Sequence, residues 1–199
     1  GLPIVMTVAN RAIGAPINIW NDHTDAMSQR DSGWIQLYAQ DNQAAADLHV
    51  FAFRLAELVS MPVMVCMDGF VLTHAMEQID VPEQAQSDAF LTPFVPRQKL
   101  DVEHPVSIGA MVGPEAFTEV RWLAHHKQLE ALAAIPGLSE EFEAAFGRRA
   151  AGPNDYRGLV TDYGVDGADT GGVARGATIG TIEDTIDEMR EDGASIGVL

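Results

Sequence analysis

Arg11 is the side chain whose type and place in the sequence most invite chemistry. It follows the apolar run Leu2 to Val8, which reads as a buried strand because short β-branched runs bounded by turn residues mark one. Gly14 and Pro16 come next, then a polar knot, Asp22-His23-Thr24-Asp25. Ligands of open α/β sheets sit outside the carboxyl ends of the strands. A guanidinium there could clamp a carboxylate or phosphate through two parallel hydrogen bonds. It could equally pair with Asp22 or Asp25 and pin a loop. Asp22 and His23 read either as a dyad or ligand pair, or as a hydrogen-bonded anchor.

Other candidates are weaker. Cys66 lies between Val65 and Met67 and reads as a small buried hydrophobe. A single cysteine allows no disulfide within the chain, which suits a cytosol. It also cannot alone hold an iron–sulfur cluster or a cysteine-based zinc site. His125 and His126 are neighbours on a predicted helix and point about 100 degrees apart, so they do not share a metal as i, i+4 ligands do. Gly172, Gly176 and Gly180 match neither dinucleotide nor P-loop spacing and read as a turn-rich connection. No complete catalytic constellation appears: there is no G-x-S-x-G, no H-E-x-x-H and no cysteine pair.

The elements that must position these residues alternate between strand and helix. Trp34 to Ala39 reads as a second strand. Asp41 to Ser60 is the best helix, with Asp41 and Asn42 as capping candidates and Ala44, Leu48, Phe51, Leu55 and Leu58 along one face. Pro62 to Met67 is apolar throughout, as a central parallel strand is. Together these make a βαβ unit. Val71 to Ile79 reads as a short helix, and Pro82 to Leu100 as a helical turn plus loop. Phe117 to Ala134 reads as a helix with Phe117, Val120, Leu123, Leu129 and Leu132 on its buried side, stopped by Pro136-Gly137. A further helix runs from Ser139 to Phe146. Gly, Pro, Asn and Asp crowd Arg148 to Ala168, the expected domain boundary. Beyond it come a poor strand at Asp169 to Ala177, a helix capped near Thr181 and a last strand at Ile196.

The 199 residues carry 29 acids against 12 bases, a net charge of -17. That argues against nucleic acid or an anionic membrane as partner, and no apolar run is long enough to span a bilayer. With 47% hydrophobic residues a full core is available. The chain opens on Gly-Leu-Pro and ends inside a strand-like run, as a fragment would.

Residues 1 to about 150 closely resemble the alpha subunit of the pyruvate:ferredoxin oxidoreductase family, the pyruvate synthases. The matching runs are VMTVANRAIGAPINIWNDHTDAMSQRDSGWIQLYAQDNQ, VMVCMDGFVLTHAMEQIDVPEQ and HPVSIGAMVGPEAFTEVR. The tail, ADT followed by GTIEDTIDEMREDGASIGVL, resembles the start of that family's second domain. The resemblance implies a three-layer parallel α/β sheet of the thiamine-diphosphate pyrimidine-binding type over 1–150, its N-terminal part missing. The opening βαβ of a transketolase C-terminal-like α/β domain follows over 151–199.

By the same resemblance the cofactor is thiamine diphosphate, shared with another subunit, with Mg2+ and 4Fe-4S clusters on partner subunits. The reaction is oxidative decarboxylation of pyruvate to acetyl-CoA with electrons to ferredoxin, or its reverse, in the cytoplasm. Pyruvate, coenzyme A, ferredoxin and the other subunits of the complex are the implied partners. Arg11 matches the family's arginine for the substrate carboxylate, and Asp22, His23, Arg30, Asp68 and His74 match its active-site wall without a chemical role. The family's substrate-contacting threonine and its pyrimidine-activating glutamate have no counterpart here. Gly171 to Gly176, with Arg175, stands where the family has a solid apolar strand, which predicts a weakened second domain. The isolated chain is expected to be inactive. A 2-oxoglutarate or branched-chain 2-oxo acid enzyme, and a non-catalytic truncated assembly module, are the alternatives.

Overall fold

The computed structural model describes residues 2–107, 109, 111–153, 155, 156 and 158–199. Ile108 and Ala110 of the third matching run, and Asn154 and Arg157 of the expected boundary, lie outside the described residues.

Strands β1 (Val5–Asn10), β2 (Ile35–Tyr38) and β3 (Val63–Asp68) form one parallel sheet in the order β1-β3-β2. The all-apolar strand takes the centre, where both faces are covered. Val63 and Val65 point to one face and Met64 and Cys66 to the other. Helix α2 (Asn42–Val59) starts where the Asp41 carboxylate accepts the Ala44 N–H at 2.6 Å, and ends at left-handed Ser60. Its Leu48, Phe51 and Leu55 bury against the Val63/Val65 face. Helices α3 (Gln84–Phe90) and α4 (Phe117–Phe146) complete that layer. There Phe142 meets Phe90 and Phe146 at centroid separations of 5.3 and 4.3 Å. The short α1 (Thr24–Met27), through Ala26, covers the other face with Trp34 and Tyr38. No helix among the described residues is long and apolar enough to cross a membrane.

Three expected details change. First, α4 runs unbroken through Pro136 and Gly137 instead of ending there. A mid-helix proline costs about 3 kcal/mol. The buried Ile135, Leu138, Phe142 and Phe146 on both sides of it offset that cost. Second, the side of α4 expected to be buried is exposed. Phe117, Val120, Leu123, Leu129 and Leu132 are between 43 and 62% accessible, because within this chain α4 meets the core only from Ala131 onward. Third, Val71 to Ile79 makes a single turn: the Asp68 carbonyl accepts the N–H groups of both Leu72 and Thr73, and no helix follows.

A short antiparallel pair, β4 (Asp155–Tyr156) and β5 (Val160–Thr161), follows. Then β6 (Thr170–Gly172) and β7 (Ile196–Val198) pair in parallel around α5 (Thr178–Glu191). Ile179 and Ile186 are the buried residues of α5. The helix starts at Thr178, so Thr181 lies inside it and does not cap it. The glycines and Arg175 shorten β6 to three residues, yet the strand still pairs with β7.

Asp155 is 2% exposed beneath α4 and accepts hydrogen bonds from Ser139 and the Gly158 N–H. Burial nevertheless raises its carboxyl above the ordinary 3.8. A raised folded value contributes stability below the unfolded pKa and loses it as pH rises through the folded value. Asp155→Asn should therefore gain stability relative to the parent between about pH 3 and about pH 7 in urea unfolding. A gain that shrinks with pH would contradict this.

Candidate functional site at the carboxyl edge of the sheet

β1 and β3 end side by side on Asn10 and Asp68. Their loops diverge so tightly that a Cβ at Gly69 would lie 2.4 Å from the Asn10 carbonyl, which instead accepts the Gly69 N–H at 3.1 Å. The loops that carry Arg11, Asn21, Asp22 and His23 grow from this rim.

Arg11 is the first residue beyond β1 and is exposed. Asp25 does pin its loop, but not through the guanidinium: one carboxylate oxygen accepts the Arg11 main-chain N–H at 2.9 Å, the other the Asn10 side-chain amide at 2.8 Å. Among the described residues no carboxylate lies within ion-pair distance of the Arg11 guanidinium. The neighbouring Ile13 N–H is held by the Thr24 hydroxyl at 3.2 Å.

Asp68, 1% exposed, is the hub. It accepts from the Asn21 amide at 3.0 Å, from His23 Nε2 at 2.5 Å and from the Ala177 N–H at 2.7 Å. The far side of the His23 ring takes a hydrogen bond from Arg175 Nε at 2.9 Å. An arginine only donates, so Nδ1 is the acceptor and the Nε2–H tautomer faces Asp68. The Arg175 guanidinium also lies over the Tyr38 ring, 4.9 Å from its centroid. A chain Arg175–His23–Asp68–Ala177 thus ties the β6–α5 turn to the edge of the first sheet.

The sequence singled out Asp22, His23 and Asp68, and the structure gathers them here. Asp22 accepts the Thr24 N–H at 2.6 Å, and hydrogen bonding from Thr24 holds its carboxyl below the usual range. Arg30 sits beside Asp31 on the surface, and His74 stacks near Phe70. His126 pairs with Glu130 on the exposed side of α4. Sequence reading missed Arg175 as a member of the site. The available signal was a charge at the carboxyl end of a strand, immediately before a helix.

Chemically, this rim binds and orients. Both nitrogens of His23 are engaged. Burial pushes the Cys66 thiol up to about 12 and the Tyr38 hydroxyl to about 12, so neither is a nucleophile at neutral pH. Among the described residues no three His, Cys, Asp or Glu side chains are grouped to hold a metal. The carboxylates of Asp22, Asp25 and Asp68 are occupied by protein N–H groups, so these residues alone do not form a complete cradle for a cofactor diphosphate and its metal.

The architecture is that of a parallel α/β protein whose site lies beyond the strand carboxyl ends, with a second α/β unit latched to that edge. Residues 1–138 match the family model described as pyruvate flavodoxin/ferredoxin oxidoreductase, thiamine diphosphate-binding. The chain belongs to that family. It is 44% identical over its full length to the pyruvate synthase subunit PorA of Methanosarcina barkeri, of which it covers 48%. It is 43% identical to PorA of Methanocaldococcus jannaschii, covering 50%. It is 36% identical over 98% of its length to the ketoisovalerate oxidoreductase subunit VorA of Pyrococcus abyssi, covering 48% of that protein. The chain therefore spans about half the length of the curated relatives it matches. A solved structure of 2-oxoglutarate:ferredoxin oxidoreductase from Magnetococcus marinus shares the fold, with a TM-score of 0.57 at 15% identity. That likeness covers 98% of this chain and 36% of the other.

Proposed function

We propose that this chain is the pyrimidine-side thiamine-binding part of the alpha subunit of a pyruvate:ferredoxin oxidoreductase. The carrying observation is the full-length likeness to pyruvate synthase subunits, which exceeds that to the ketoisovalerate enzyme. In this reading the complex converts pyruvate to acetyl-CoA, or the reverse, in the cytoplasm. Thiamine diphosphate supplies the electron sink for decarboxylation. Other subunits hold the Mg2+, the diphosphate and the 4Fe-4S clusters, and pass electrons to ferredoxin. Residues 1–150 are the thiamine-side domain and 151–199 the linker and start of the next.

Arg11 is the proposed substrate residue. Its exposed guanidinium at the end of β1, without an acidic partner among the described residues, supports a role in gripping the carboxylate of a 2-oxo acid. A two-point grip would orient the keto group and transfer no proton. In the whole complex, Arg11→Ala should raise the KM for pyruvate at least tenfold, about 1.4 kcal/mol. An unchanged KM would remove Arg11 from the site. The carboxylate is common to all 2-oxo acids, so comparing kcat/KM for pyruvate with that for 2-oxoisovalerate separates the pyruvate reading from the branched-chain one.

A further inference from the structure

Arg175 stands in the sequence as an interruption of a strand, and the structure gives it an orderly environment. Its Nε is fixed on His23 at 2.9 Å and its plane rests on Tyr38 at 4.9 Å. Those two contacts lock the rotamer. The terminal Nη1 and Nη2 groups have no acceptor among the described residues, and the side chain is exposed. Arg175 borders an open cavity of about 340 Å3 whose wall includes Asn21, Asp22, His23, Thr24 and Thr178. Thr178 is the first residue of the 14-residue α5, whose amino end carries partial positive charge.

We propose that Arg175 and this cavity form a second oxyanion-binding site, separate from the grip assigned to Arg11, that takes a carboxylate or phosphate of a small molecule. A guanidinium held along one edge presents the other as a ready fork, and a fork matches two oxygens of one anion. Holding it in advance removes the ordering cost that a mobile surface arginine would carry on binding. Asp22 shares the cavity wall with Arg175. Binding therefore depends on directed hydrogen bonds more than on net charge, which sets the expected affinity in the millimolar range. The proposal goes beyond the assignment of Arg11 and does not need it to be right.

The test observes the arginine itself in the unaltered 199-residue chain. Guanidinium 15N resonances are recorded during titration with inorganic phosphate and, separately, with pyruvate, at ionic strength held constant with chloride. Arg175→Gln identifies the Arg175 signals. The expected result is a saturable shift of the Arg175 Nη signals, absent from the exposed Arg30, together with a saturable shift of the Thr178 backbone amide whose apparent affinity weakens at least tenfold in Arg175→Gln. Response to phosphate alone identifies a phosphorylated ligand, and response to pyruvate alone a carboxylate. Arg11→Gln should leave the Arg175 response to phosphate in place. No shift at Arg175, a linear shift, or an equal shift at every arginine would overturn the site. Failure here leaves the Arg11 prediction in the complex untouched, and the converse holds too.

Discussion

Replacing Arg148 by alanine should lower the stability of this protein by about 3 to 5 kcal/mol, the cost of stranding a buried carboxylate. Asp47 on α2 is 1% exposed. Arg148, just past the end of α4, meets it through two parallel bonds of 2.7 and 2.9 Å, while Gln43 donates to the same carboxylate at 2.9 Å. The Asp47 hydrogen bonds push the guanidinium above its ordinary value despite partial burial. Arg148 also reaches Asp80, whose side chain is 83% exposed.

The two halves of that network should separate in a melt. Asp80→Ala should cost less than about 1 kcal/mol, since exposed pairs contribute little. Arg148→Ala should lower the midpoint by roughly 6 to 20 °C for a chain of this size. Replacing Asp47 by leucine and Arg148 by methionine together should recover most of the loss, because a paired apolar substitution leaves no charge behind. Equal effects from Asp80→Ala and Arg148→Ala would show that burial is not what gives Arg148 its weight.

The second large effect is expected at Gly176. Its φ of +77° is a conformation that side-chain-bearing residues avoid, at about 1 to 3 kcal/mol. A Cβ there would lie 2.7 Å from Asp68 Oδ1 and 2.8 Å from His23 Cε1. Those groups are hydrogen-bonded to each other and have little room to retreat. Gly176→Val should therefore cost upward of about 2 kcal/mol and detach the β6–α5 turn from the sheet edge. Hydrogen exchange should report it as faster exchange at the Ala177 amide, which now donates to Asp68, and across β7. Gly180→Ala is the control: the site is open, and alanine in a helix gains up to about 1 kcal/mol over glycine. If Gly176→Val melts and exchanges like the parent, the latch is not a stabilising contact.

Local signals carried much of the fold. The all-apolar Val63 to Cys66 run announced a central parallel strand, and Asp41 before Ala44 and Leu48 announced the capped helix beside it. These readings rest on periodicity and on a cap three residues away, physics that a short stretch contains in full. Windows where distant packing decides were harder. Pro136 and Gly137 read as a stop, yet Ile135 and Leu138 are held in the core by residues of α2 and α3 that no local window includes. The apolar stripe from Phe117 to Leu132 has helical spacing, but spacing does not say what covers it, and within this chain it lies exposed.

By itself the sequence determined the family, the parallel α/β arrangement of the first unit and the position of Arg11 at a strand's carboxyl end. The family follows from the resemblance of long residue runs, and the other two from short-range periodicity. Only the tertiary structure decided that Asp68 is a hub, that His23 is committed on both nitrogens, and that Arg175 bonds to His23, 152 residues earlier in the chain. Contacts over such separations depend on how two units dock, and docking is settled by burial and hydrogen-bond satisfaction summed over the assembled surface. No local pattern encodes that sum.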